Sequence, residues 1–179
     1  MSQGEPQQDD AREPVVEAAP APVSTARVLS SPRYFLAFGL GSGLSAVAPG
    51  TVGTLMAVPL YLLFAQLDLW LYAALVLAAL GLGVWLCGSV SRDIGVHDHG
   101  GIVWDEFVGY WITMFALPVD VLWIVSGFVV FRIFDIVKPW PVSALDKRVA
   151  GGLGIMIDDV VAGIMACMTL HLAILFLPG

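Results

Sequence analysis

The sequence is poor in cysteine and in charged residues. Its two cysteines, Cys87 and Cys167, both lie in apolar runs, so they provide neither a disulfide framework nor the spacing of a zinc site. Charged residues make up 13% of the chain, and no basic stretch is interleaved with aromatic residues, which argues against nucleic-acid binding. What remains is strongly apolar. The hydrophobic fraction of 58% and the mean hydropathy of +0.85 over 179 residues predict a single-domain integral membrane protein.

The first 26 residues differ in composition from the rest of the chain. They combine acidic residues with Pro, Gln and Ala, and Arg12 is their only basic residue. This composition is typical of a solvated, disordered tail. It does not fit a signal peptide, because the segment is acidic and has no apolar core. We therefore predict a disordered acidic tail over residues 1–30 and a membrane-embedded domain over residues 31–179.

Apolar segments dominate the second part of the chain. Crossing the hydrocarbon core takes ~20 residues of helix, with roughly 17 as the lower bound. Two segments meet this length, whereas the first and third are short and could be tilted, re-entrant or buried among the others. The predicted fold is an all-α membrane bundle of four to five apolar helices, preceded by a Gly/Ser/Pro-rich connector over Ser30–Pro49. The predicted helices are Val52–Ala65, Leu69–Val90, Trp104–Leu117, Val121–Val137 and Met156–Leu177.

Charge placement predicts the orientation of this bundle. If the tail is cytoplasmic and all five helices cross, the basic residues fall on or near the cytoplasmic side, as the positive-inside bias expects. These residues are Arg27, Arg33, Arg92, Arg132, Lys138, Lys147 and Arg148. The same arrangement gathers most acidic residues of the domain at cytoplasmic helix ends. They are Asp93, Asp98, Asp105, Glu106, Asp135, Asp158 and Asp159. The Trp104, Trp111 and Trp140 rings would suit an interfacial aromatic belt.

Acidic residues inside apolar segments are the main chemical signal. A carboxylate taken out of water costs several kcal/mol unless it is paired, protonated or bound to a metal, and in a membrane protein such a residue indicates a functional site. The small residues Gly109 and Gly163 follow two of these acids by one turn and would allow close approach of a ligand or a helix. Helix capping is the alternative explanation for the acidic pairs. The predicted metal ligands are Asp105, Glu106, Asp135, Asp158 and Asp159.

The ligand chemistry favours magnesium or manganese over zinc. Carboxylate clusters without cysteine or paired histidine suit hard cations, and magnesium is usually held by a few carboxylates together with substrate phosphate. His97 and His99 flank Asp98 in a Gly-rich loop that supplies too few zinc ligands, so loop polarity explains them better. His171 stands alone on the last helix and is predicted to be a hydrogen-bonded core residue.

Two further segments carry candidate phosphate-binding groups. Arg132, Asp135 and Lys138 recur every three residues, which predicts one helical face carrying two cations beside a metal ligand. A self-neutralising ion triad is the alternative for this face. In the segment Ala48–Leu55, glycines at a helix start could bind an anion through free backbone N–H groups. The candidate residues there are Thr51, Gly53 and Thr54, and the Lys of a P-loop is absent.

Together these motifs resemble the phosphatidylglycerophosphatase A family. The matching pieces are Ala48–Leu55, Gly95–Gly109, Phe131–Pro141 and Gly151–Gly163, in this order and with coherent spacing. The resemblance covers nearly everything from about Arg33 to the C-terminus and not the tail. It implies a multihelical inner-membrane enzyme of phospholipid metabolism with its site facing the cytoplasm. It also implies Mg²⁺-dependent removal of the terminal phosphate from phosphatidylglycerophosphate, giving phosphatidylglycerol, with the acids and cations above as catalytic residues.

Other phosphatase chemistries lack their residues in this sequence. A cysteine phosphatase needs Arg six positions after the nucleophile, where Asp93 and Ala173 follow the two cysteines. No D-x-D start occurs, and Asp98 stands where a phosphatidic acid phosphatase pattern beginning at Arg92 would need His. Metal-assisted attack by water, or by a carboxylate that forms an acyl-phosphate, remains. A small cation or proton transporter is the alternative function, since the D-G-x-x-A-R segment of CDP-alcohol phosphotransferases is absent and a purely structural subunit leaves the charges unexplained. The oligomeric state is left open.

The predicted orientation can be tested by thiol labelling of spheroplasts. In a background with both Cys87 and Cys167 replaced, a single cysteine introduced between Ser143 and Ala150 should be protected from a membrane-impermeant reagent. A cysteine placed beside Asp120 should be labelled, because that turn is predicted to face outward. The opposite labelling pattern would invert the orientation.

Overall fold

A computed structural model describes residues 23–97, 99–140, 142 and 150–176, and every regular element within these ranges is helical. A short 3-10 helix over Gly39–Leu44 lies between the second and third α-helices. The α-helices are α1 (Thr25–Ser30), α2 (Pro32–Ala37), α3 (Pro49–Phe64), α4 (Leu69–Ile94), α5 (Trp104–Thr113), α6 (Val121–Val137) and α7 (Gly151–Phe176). The predicted all-α class is confirmed for the described part of the chain.

The five apolar segments coincide with α3 to α7. Helices α4 and α7 each have 26 residues and mean hydropathies of 2.1 and 2.0, so by length and composition each can cross a membrane. Helix α3 is apolar but shorter, with 16 residues. The number of helices that actually cross remains a prediction.

The N-terminal region is more structured than the sequence predicts. Thr25–Ser30, inside the predicted tail, form α1, which Ser24 caps by accepting a hydrogen bond from the backbone N–H of Arg27. Val28 of this helix is fully buried. The predicted connector likewise contains α2 and the 3-10 helix, whose chain bends at Leu40 and Gly41 through positive φ angles. The boundary at residue 30 therefore falls inside folded structure, while residues 1–22 lie outside the described ranges.

Helix α5 is the centre of the fold. It is only 10 residues long, and it packs against α3, α4, α6 and α7. The indole N–H of Trp104 donates to the carbonyl of Ala79 on α4 (3.0 Å), and that of Trp111 donates to Ala57 on α3 (3.1 Å). The prediction that Trp104 and Trp111 belong to an interfacial belt is therefore wrong, because both rings are buried against neighbouring helices. Trp140 is 80% exposed, as a belt residue would be.

Two glycines let α5 and α7 approach closely. A β-carbon added at Gly109 would lie 2.9 Å from the carbonyl oxygen of Asp159, and one at Gly163 would overlap the carbonyl of Gly109. The hydroxyl of Thr113 donates to the carbonyl of Gly109 (3.0 Å) in the same contact. The expectation that these glycines permit close approach is confirmed, and the approaching group is a helix. This contact sets the α5 and α7 acids side by side.

The glycine contact can be tested by substitution. Gly163→Ala places a methyl group against backbone that cannot move aside, so it should lower the free energy of unfolding by about 1–3 kcal/mol. The measurement is denaturant or thermal unfolding in detergent. Gly81→Ala on α4 is the control, since nothing lies within 4 Å of a β-carbon there, and it should be at least as stable as the wild type because alanine favours a helix interior more than glycine does. Equal stability of the two variants would contradict the packing argument.

Candidate metal and phosphate site

Three carboxylates from two helices meet at one point. Asp105 and Glu106 occupy the first turn of α5, and Asp159 lies in α7. One oxygen from each of the three residues lies within 4.8 Å of the others. Asp105 is 8% exposed and Asp159 is 3% exposed, although both are acids. We call these three residues the carboxylate trio.

The trio has hydrogen-bonding capacity left over. Asp105 Oδ1, Glu106 Oε2 and Asp159 Oδ1 are buried and have no hydrogen-bond partner among the described residues. A buried carboxylate oxygen without a partner costs about 1–3 kcal/mol, and more when it is charged. Three such atoms at one point indicate a group that the described residues do not supply, and a divalent cation is a candidate.

Helix capping explains at most one of the two acidic pairs. Asp105 and Glu106 lie in the first turn of α5, yet no side-chain cap hydrogen bond is made at its N-terminus. Helix α7 begins at Gly151 rather than at the predicted Met156, so Asp158 and Asp159 lie two turns inside it. A favourable effect of the helix dipole falls off within the first turn. Capping is therefore excluded for the second pair.

The predicted cations form two separate ion pairs. On α6, the Arg132 guanidinium lies 2.5 Å from Asp135 and 3.8 Å from Glu106. Lys138 ends α6 in a left-handed conformation (φ 45°), and its ammonium donates to Asp158 of α7 at 2.6 Å. The three-residue spacing therefore does not place Lys138 on one helical face with Arg132, because the helix stops at Lys138. The three residues predicted as one triad therefore belong to two separate ion pairs, Arg132–Asp135 and Lys138–Asp158.

The five predicted metal ligands thus differ in their surroundings. The trio residues face one another, whereas Asp135 is paired with Arg132 and Asp158 with Lys138. Asp135 also lies beside Asp159, so it borders the trio as well. The donor atoms at the site are carboxylate oxygens, which suits a hard divalent cation. The structure therefore fits metal binding best at the trio, with Asp135 adjacent.

The glycine-rich start of α3 reaches the site through a residue that the sequence did not single out. A β-carbon at Gly50 would meet Glu106 Oε1 and both terminal nitrogens of Arg132. The predicted phosphate-binding residues lie differently. Thr51 is half-buried in the first turn, Gly53 packs against Val103, and Thr54 is buried with its hydroxyl donating to the Gly50 carbonyl (2.9 Å). The closeness of Gly50 to the charges could be found only from the fold.

The loop histidines bind backbone groups. Nε2 of His97 accepts a hydrogen bond from the N–H of Gly151 (2.9 Å), and Nδ1 of His99 accepts one from Gly101 (3.1 Å). Nδ1 of His171 lies 2.9 Å from the carbonyl of Cys167 one turn earlier. These contacts agree with structural roles for all three. Asp98, Pro141, Lys147 and Arg148 lie outside the described residues.

Comparison with known proteins gives the family. The model of the family described as phosphatidylglycerophosphatase A matches residues 35–174. The chain belongs to this family. The match includes the trio, both ion pairs and the start of α3, and it begins after α1. The family resemblance drawn from the motifs is therefore confirmed, and with it the assignment of the chain to a family of phosphatases.

Three relatives support the assignment. The phosphatidylglycerophosphatase A of Escherichia coli (strain K12) is 51% identical over 144 residues, covering 80% of this chain and 84% of the relative. That of Haemophilus influenzae is 45% identical over 140 residues, covering 77% and 86%. A protein of Bacteroides thetaiotaomicron, provisionally named phosphatidylinositol-3-phosphatase, is 40% identical over 144 residues, covering 75% and 89%. No solved structure matches the chain.

The unpaired trio predicts how stability responds to divalent cations. Magnesium or manganese should raise the melting temperature of the wild type, since a ligand at about 100 times its Kd stabilises by about 2.7 kcal/mol. Asp159→Asn should lose most of this rise while remaining as stable as the wild type in chelator, because it relieves repulsion among unpaired acids. Asp158→Asn should instead destabilise the chelated protein, because Lys138 loses its counter-ion. A wild type unmoved by either metal would contradict the site.

Proposed function

We propose that the chain is a magnesium-dependent lipid phosphatase that hydrolyses phosphatidylglycerophosphate to phosphatidylglycerol and inorganic phosphate. The carrying observation is a buried carboxylate trio in which each residue has one oxygen without a hydrogen-bond partner among the described residues, and in which Glu106 lies 3.8 Å from the Arg132 guanidinium. Family membership supports the choice of substrate. The protein works as a multi-pass protein of the bacterial inner membrane, with this site on the cytoplasmic side.

The trio residues Asp105, Glu106 and Asp159 would hold the metal, with Asp135 and Asp158 as the neighbouring acids. A bound divalent cation supplies a positive charge that polarises the phosphoryl group and favours attack by water. Magnesium is the preferred ion because every candidate donor is a carboxylate oxygen. A metal-free protein would leave these oxygens buried without partners.

The cations of the chain bind and orient the phosphate. Arg132 offers a planar fork that can contact two phosphate oxygens, and Lys138 offers a single point charge. Their pairs with Asp135 and Asp158 hold each side chain in place before substrate arrives. Charge that develops on the phosphoryl oxygens is then met by donors already in position, which lowers the barrier.

The hydrolysis moves one proton. The bond between phosphorus and the terminal glycerol oxygen breaks, water provides the fourth oxygen of inorganic phosphate, and a water proton ends on the leaving oxygen. Glu106 is either the third ligand of the metal or the base that takes this proton from water and passes it to the leaving oxygen; its Oε2 is buried without a partner among the described residues, and its Oε1 lies 3.8 Å from Arg132. Attack by a carboxylate through an acyl-phosphate is the alternative route.

An apolar surface next to Arg132 suits a lipid substrate. One open face of α6 is apolar around Arg132 and is formed by Phe128, Val129, Ile133, Ile136 and Val137. An acyl chain lying along this face would bring its headgroup to the guanidinium. Exposed apolar residues on α4 and α7 would face the remaining lipid.

The arrangement of acids favours this function over transport. A cation or proton transporter needs ionisable groups spread along a path across the bilayer. Here the trio gathers at the first turn of α5 and Asp135 near the end of α6. The acids converge on one site.

Phosphate release tests the proposal directly. Detergent-solubilised protein should release inorganic phosphate from phosphatidylglycerophosphate when magnesium is present, and excess chelator should abolish the release because the trio loses its cation. Phosphatidic acid and phosphatidylinositol 3-phosphate serve as competing substrates. Full activity after complete metal removal would disprove the magnesium dependence, and a preference for either competitor would reassign the substrate.

Substitutions separate the roles within the same assay. Asp105→Asn and Asp159→Asn should lower turnover strongly, and excess magnesium should partly restore it. Arg132→Ala and Lys138→Ala should lose activity that magnesium does not restore, because they remove phosphate contacts. Glu106→Gln should keep the magnesium-induced rise in melting temperature and lose turnover if Glu106 is the base. Near-wild-type turnover of both Asp variants would favour a structural ion network.

A further inference from the structure

Gly50 touches both halves of the charged site. It is the second residue of α3, after Ala48 in a left-handed conformation (φ 46°) and Pro49. A β-carbon at this position would overlap Glu106 Oε1 and would lie 3.2 Å from each of the two terminal nitrogens of Arg132. The space of one methyl group is therefore already filled by a carboxylate and a guanidinium.

The backbone of Gly50 does not itself require glycine. Among the described residues, the glycines with positive φ are Gly39, Gly41, Gly95 and Gly151, and Gly50 is not one of them. Alanine can adopt the backbone of a first helical turn, and replacing glycine there usually stabilises a protein by about 0.4–1 kcal/mol. The atoms nearest to a β-carbon at this position belong to the side chains of Glu106 and Arg132.

The first turn of α3 is also held in place by its own contacts. The buried hydroxyl of Thr54 donates to the carbonyl of Gly50 at 2.9 Å. A β-carbon at Gly53 would be 2.8 Å from that of Val103, the residue just before α5, and the N–H of Val103 donates to Ala37 (2.9 Å). The turn packs against the segment that carries Asp105 and Glu106. A side chain at Gly50 would therefore displace Glu106 and Arg132 rather than the backbone.

We propose that Gly50 is a positioning residue of the phosphatase site. The absence of a side chain at Gly50 lets the Glu106 carboxylate lie against the start of α3 and 3.8 Å from Arg132. This contact places the metal-binding trio next to Arg132, which is the proposed phosphate-binding residue and is itself paired with Asp135. The inference rests on the proposed function and adds a residue that neither binds metal nor touches the reacting atoms.

The test compares Gly50→Ala with Gly81→Ala, another helical glycine that has no neighbouring atom within 4 Å. Gly50→Ala should reduce kcat for phosphatidylglycerophosphate by about tenfold or more, because small misplacements of reacting groups cost this much. The magnesium concentration for half-maximal rate should rise, while the melting temperature in chelator should not fall. Gly81→Ala should match the wild type in kcat and in magnesium dependence, and its melting temperature in chelator should not fall, because alanine favours a helix interior more than glycine does.

A double-substitution cycle with Glu106→Asp distinguishes positioning from folding. The shorter side chain retracts the carboxylate, so Gly50→Ala should reduce the magnesium-induced rise in melting temperature less in that background than in the wild type. An equal reduction in both backgrounds would overturn the inference. Wild-type kcat and magnesium dependence of Gly50→Ala would overturn it as well and leave the proposed function standing. An inactive wild type would instead defeat the proposed function.

Discussion

The mutual repulsion of three buried carboxylates is the constraint on which the rest of the structure depends. Asp105, Glu106 and Asp159 lie close together with oxygens that no described residue satisfies, so packing elsewhere must hold them there. The α5–α7 contact through Gly109 and Gly163 does this at backbone level. The indole hydrogen bonds of α5 to α3 and α4 fix the same short helix from its other sides. A helix of 10 residues is therefore the most constrained element of the fold.

The two ion pairs solve a different problem. Asp135 and Asp158 each neutralise a partly buried cation. On the proposed function, each pair also holds a phosphate-binding group in place. Lys138 reaches Asp158 only because the chain turns into a left-handed conformation at the end of α6. That conformation is uncommon for a residue other than glycine. The left-handed backbone at Lys138 therefore costs some of the free energy of folding, and it directs the Lys138 ammonium towards Asp158.

The sequence predicted helix positions well, because long apolar segments interrupted by turn residues carry a strong signal. It singled out the acids as candidate ligands because acids inside such segments stand out, and three of them lie together in the fold. The start of α7 was missed because Gly151 and Gly152 resemble a loop, whereas Gly152 is there to touch the backbone of α4. The grouping of the charges was missed because helical spacing cannot foresee that Lys138 leaves the helix. The role of Gly50 was missed because the sequence does not show which atoms lie where its side chain would be.

The charge balance explains why a cation belongs to the site. In the ionised state, five carboxylates face the two cations Arg132 and Lys138, and both cations are already paired. A phosphate group approaching this arrangement would meet net negative charge in a region of low dielectric, where repulsion is strong. The chain's own residues therefore form only part of a phosphate site. On the proposed function, a divalent cation at the trio would offset the excess charge, and the lack of a side chain at Gly50 would leave that position next to Arg132, so that metal and guanidinium could act on the same phosphoryl group.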